Sequence, residues 1–125
     1  MISICKEVGI PVQQQPEAVL VATTERPPGY EVVHTLGQVF GVVVRSRGLA
    51  ANIVAAVRTL GGGEIMEFTR LVEDTRRHAM DRMVENARAR GANAVLMMRF
   101  DSSELGKSMA EVVAYGTAAV VERIP

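Results

Sequence analysis

The chain has 125 residues, 48% hydrophobic and 22% charged, with 14 Lys plus Arg against 14 Asp plus Glu. That length and composition predict one domain with a core of its own. Zero net charge excludes general nucleic-acid binding, which needs surplus cation to displace counterions, and excludes a polybasic membrane contact; it suits self-association.

Residues 1–17 read as an N-terminal arm, because "PVQQQPE" carries no periodic apolar pattern. The arm holds Cys5, the single cysteine, so no intrachain disulfide framework is available. Its start lacks a basic stretch followed by a long apolar core, and no apolar run is long enough to span a bilayer. A cytoplasmic protein is the expectation. Residues 18–125 are then a single domain.

"AVLVATT" (18–24) is β-branched-rich and predicts a first strand, broken by "ERPPGY". "YEVVHTLGQVFGVVVRS" (30–46) is too β-rich for a helix and long for one flat strand. Gly37 and Gly41 interrupt it on one face, which predicts a bend or bulge. Simple alternation places Val32, Leu36, Phe40, Val42 and Val44 on one face. "LAANIVAAVRTL" (49–60) predicts a short helix, apolar on nearly all sides.

From Glu64 to Arg90, Ile65, Phe68, Val72, Ala79, Met83 and Ala87 recur at helical spacing. Glu67–Arg70 and Glu73–Arg77 are spaced as ion pairs on the polar side. At 1.5 Å per residue this helix runs about 40 Å, too long for a small subunit to cover, so part of it should meet another chain. Gly91 closes it as a left-handed cap. "ANAVLMMRFD" (92–101) returns to strand, "SSELGK" reads as a turn, and "SMAEVVAYGTAAVVERI" (108–124) is a last long strand with apolar residues on both faces. The fold class is α+β: a mixed or antiparallel sheet of long bent strands on one short and one long helix, in the order β-β-α-α-β-β.

Three stretches, "VLVATTERPPGYEVVHTLGQVFGVVV", "LAANIVAAVRTLGGGEIMEFTRLVEDTRRHAMDRMVENARARGANAVLMMRFD" and "MAEVVAYGTAAVVE", resemble the YbjQ-like family over about residues 18 to 124. These are small bacterial and archaeal proteins labelled as heavy-metal-binding. The resemblance implies a dodecin-like subunit and a homopentameric ring with strands of neighbouring subunits joined. Its label implies a divalent or soft metal ion, but no ligand set comes with it.

The glycine run Gly61–Gly63 stands before the long helix, where a phosphate cradle could lie. A Walker A loop needs a following Lys and hydroxyl; here Glu64 follows, and it would repel an anion in the first helical turn. The run reads as a hinge.

For metal, Cys5, His34 and His78 are far apart in sequence. In a ring, His34 from each subunit could converge on the axis, although isolated histidines are more often solvated or hydrogen-bonded; His78, among arginines, reads as solvated. The methionine pairs Met80/Met83 and Met97/Met98 read as packing before Cu(I) ligation.

The most polar cluster in an apolar region is "RFDSSEL". Arg99 and Asp101 alternate onto one face and could pair, and Glu104 stands nearby; a turn-capping role competes with ligand binding. Asp101 also matches the strand-ending acid of the resemblance. Tyr115 could stack on a ligand or line an interface.

No nucleophile elbow or acid–base pair is legible, so a non-enzymatic ring holding a small molecule or metal ion between subunits leads. The alternatives are an enzyme with an intersubunit site around Asp101, Glu104 and a neighbour's His34, and a scaffold for a protein partner.

Overall fold

The computed structural model describes residues 18–46, 66–106 and 109–125. The arm, the short helix expected at 49–60 and the glycine hinge lie outside them. The described elements are β1 (Leu20–Val21), β2 (Tyr30–Ser46), α1 (Met66–Ala89), β3 (Ala94–Leu105) and β4 (Met109–Arg123). They form one mixed sheet in the order β1-β3-β4-β2, with β1 parallel to β3 and the other pairs antiparallel. This is the expected α+β class, with one helix among the described residues.

Each strand differs from the simple reading for a physical reason. β1 is shorter than 18–24, because its partner β3 bulges at Met97, whose φ is 54°. Past Val21 the edge continues only through single bonds, Met98 N to Ala22 O and Met97 N to Thr24 O. Gly116 lies opposite this bulge, and a Cβ there would stand 2.7 Å from Val95 Cγ1 and 2.8 Å from Leu96 O. Glycine thus permits the close approach.

β2 has the expected irregularity as register shifts at Val32/His34 and Thr35/Gly37. The second moves Leu36 out of the expected set and onto the core beside Val39 and Val43. β3 runs on through Ser102–Leu105, which "SSELGK" had suggested as a turn; pairing with Val112 to Met109 overrides the local turn preference. Gly106, at φ 72°, begins the turn instead.

α1 buries Ala79, Met83 and Ala87 completely against Val39, Val43, Val95, Met98, Ala114 and Ala118. The helix sits low because Gly41 lies beneath it. A Cβ there would overlap the backbone of Ala79 and Met83 and stand 2.8 Å from Arg82 Cβ. Gly91 ends α1 at φ 87°, as expected. The expected Glu73–Arg77 pair is replaced by Asp74–Arg77 (3.6 Å), joined by Glu85–Arg88 (2.6 Å) one turn along. Val72 is 39% exposed, so the apolar stripe outruns the sheet that covers it.

The other sheet face is covered at one end only. There Leu20, Tyr30 and Val32 pack over Ala94, Leu96, Ala119 and Val121. Asn93 completes the ladder beyond β3: its amide donates to Val121 O (2.9 Å) and accepts from Val121 N (2.8 Å).

Candidate functional site

Register builds a row across this second face. Phe40 on β2 pairs with Tyr115 on β4, which pairs with Arg99 on β3. One step along, Val42, Val113 and Asp101 are in register, and next Val44, Glu111 and Ser103. Cross-strand partners share a face. Phe40 is 56% exposed, Val44 49% and Tyr115 40%. The result is an open apolar surface from β2 and β4, bordered by a polar column from β3.

The sequence singled out three of these residues, and the structure does bring Arg99, Asp101 and Tyr115 onto neighbouring positions of one face. The expected Arg99–Asp101 ion pair is absent. Arg99 Nη1 donates instead to Thr23 O (3.1 Å) and Met98 O (2.8 Å), because the bulge turns these carbonyls towards it. Asp101 Oδ1 accepts from Ser102 N (2.8 Å), the capping role weighed for it, and Ser103 Oγ donates to Glu111 Oε2 (3.2 Å). Glu104 pairs with Ala110 and by alternation faces the opposite side of the sheet from Asp101. His34 pairs with Val120, about 23 Å along β4 from the level of Asp101. Asp101, Glu104 and His34 therefore do not meet within one subunit.

Phe40, which sequence alternation merged with the strand interior, is the main addition to the site. A second feature was readable only in hindsight: Arg82, Asn86 and Arg90 repeat every four residues along α1. Arg82 Nη1 donates to Val42 O (2.6 Å), Asn86 Nδ2 to Phe40 O (2.7 Å), and Arg90 Nη1 to Gln38 O (2.5 Å) and Leu36 O (3.4 Å). Four helical residues rise about 6 Å and two strand residues about 6.6 Å, so the two repeats stay in step. The outward carbonyls of edge strand β2 are thereby occupied. Beside them runs a groove with a cavity of about 440 Å³ lined by Phe40, Val42, Asp81, Arg82, Glu85 and Asn86.

The donor set of one subunit does not fit a heavy metal. Among the described residues no three of His, Cys, Asp and Glu come together. His78, exposed as expected, has Nδ1 2.9 Å from Arg45 Nη2. Arginine only donates, so that nitrogen is an acceptor already engaged.

A mixed four-stranded sheet with one helix on one face, and an aromatic–apolar row on the other, defines a small α+β subunit. Residues 19–122 match the YbjQ family, described as "Putative heavy-metal-binding", and the chain belongs to that family. It is 58% identical over 105 residues to a UPF0145 protein of Bradyrhizobium sp. (strain ORS 278), covering 84% of this chain and 95% of that one. A UPF0145 protein of the archaeon Saccharolobus solfataricus is 55% identical, over 84% of this chain and 92% of its own. Among solved structures, a protein of unknown function of the DUF74 family from Pediococcus pentosaceus matches with a TM-score of 0.56 at 12% identity, over 82% of this chain and 97% of that chain. That match speaks for the fold alone. No described helix is long and apolar enough to cross a membrane.

Proposed function

We propose that the protein acts as an assembly, a homo-oligomeric ring that holds a small ligand or metal ion between subunits and catalyses no reaction. The observation that carries this reading is the open row of Phe40, Tyr115 and Arg99, with Val42, Val113 and Asp101 beside it. One subunit presents there an aromatic, apolar and charged surface with nothing above it among the described residues. A second subunit would turn that surface into a pocket, with Tyr115 and Phe40 as apolar walls and Arg99 and Asp101 as polar contacts. A metal ion, as the family description implies, would need donors from several subunits, and His34 is the side chain suited to converge by symmetry.

An enzyme built on Asp101, Glu104 and a neighbour's His34 has less support, because the two carboxylates occupy opposite faces. The test is elemental analysis of the purified, untagged oligomer, with mass spectrometry of small molecules released on denaturation. A stoichiometric metal or organic ligand that is lost in Arg99→Ala, Asp101→Ala or His34→Ala supports the reading. An oligomer that purifies empty and binds nothing from a metal and cell-extract screen contradicts it.

A further inference from the structure

The subunit has two ways to join another copy: by adding strands at a sheet edge, or by packing its open face. A ring of joined strands is heterologous, so it consumes both edges of every sheet. The β2 edge is not available for this. Its outward carbonyls at Leu36, Gln38, Phe40 and Val42 already accept from Arg82, Asn86 and Arg90, whose side chains overhang the edge. An incoming strand needs those acceptors for its own N–H groups, and would have to displace at least three hydrogen bonds to reach them. On the far side of the sheet, Ser102 N is likewise taken by Asp101.

The face has no such guard. Phe40, Val44 and Tyr115 are 56%, 49% and 40% exposed, and Val42 and Val113 lie between them. The chain's own undescribed segment cannot supply the cover. Hydrogen bonds from Arg82, Asn86 and Arg90 to Val42, Phe40 and Gln38 show that α1 runs antiparallel to β2. By that alignment Met66 stands about 10 Å beyond the end of β2. A helix over 49–60 laid back along the patch would end about 18 Å inside the sheet. Residues 61–65 would then have to span roughly 35 Å, around the sheet and on to Met66, but reach only about 21 Å when fully extended.

We infer that the face carrying Phe40, Val42, Val44, Val113 and Tyr115 is covered by a second copy of this chain, packed face-on and not by strand addition at β2. The inference rests on the assembly reading above and names its contact surface. Charge favours a second copy over a strongly charged partner: the border of the patch carries Arg99 against Asp101 and Glu111, and the chain as a whole is neutral.

The test compares wild type with Phe40→Glu/Tyr115→Glu by sedimentation velocity, with circular dichroism to verify the fold. Both positions are exposed in the single subunit, so the variant is expected to keep its sheet and to sediment as a monomer. Hydroxyl-radical footprinting of the wild type gives an independent readout that needs no variant. Tyr115 is the more exposed of the two tyrosines in a lone subunit; covered by a second copy it should label several-fold more slowly than Tyr30. A wild-type oligomer whose size survives the double substitution, or whose Tyr115 labels faster than Tyr30, overturns the contact surface and leaves the assembly standing. If the variant does not fold, the footprint decides alone. A monomeric wild type overturns the assembly reading itself.

Discussion

Gly41 is the position where the packing account is most exposed to test. Helix α1 lies so close to β2 there that a methyl group would overlap the backbone of Ala79 and Met83. Backbone cannot swing aside as the end of a side chain can, so in Gly41→Ala the helix must rise by roughly an ångström, which loosens a close-packed contact. The lift strains the seating of Ala79, Met83 and Ala87 and stretches the bonds from Arg82 and Asn86 to the β2 carbonyls. Overpacking of this kind costs about 3 kcal/mol, and the exposed bonds add a few tenths each. For a domain of this size that is a fall in Tm of roughly 10–15 °C.

The assay is thermal and urea unfolding at matched protein concentration, since association also raises apparent stability. Gly29→Ala is the control. Its φ is 83° with nothing within 4 Å of the added methyl, so it costs only the backbone strain of about 1–2 kcal/mol. A Gly41→Ala protein as stable as the Gly29→Ala protein would refute the close helix–strand approach.

Two further outcomes follow from the same packing. Asn93→Ala removes both partners of the Val121 backbone and should cost about 1–3 kcal/mol in urea denaturation, with faster hydrogen exchange at the Val121 amide. Replacing Arg82, Asn86 and Arg90 together by alanine should lower stability by only about 1–3 kcal/mol, because the bonds are exposed, yet it should free the β2 edge. Light scattering on mild heating should then show aggregation well ahead of the wild type.

Most of the fold was legible because its elements are long and their patterns strong. The bounds of β2 were readable from Tyr30 to Ser46, and Gly91 marked the end of α1. The bulges were not placed by alternation, and a single shift at Thr35/Gly37 was enough to move Leu36 to the core. Ser102–Leu105 became strand because β4 offered a partner along its whole length, a non-local gain that local turn preference cannot report.

The site was half legible. Arg99, Asp101 and Tyr115 stood out by chemistry, whereas Phe40 looked like any other apolar strand residue. Its exposure follows from which face α1 covers, and Gly41 decides that by admitting the helix on its own side. The pairings expected of Asp101 with Arg99, Glu104 and His34 failed because strand register, not proximity in sequence, sets who faces whom.

The most direct measurement of the central claim is native mass spectrometry of untagged protein at low micromolar concentration, repeated with Phe40→Glu/Tyr115→Glu. The account requires a closed oligomer for the wild type and a folded monomer for the variant. A wild type that flies as a monomer, or a variant that keeps the wild-type stoichiometry, would contradict it.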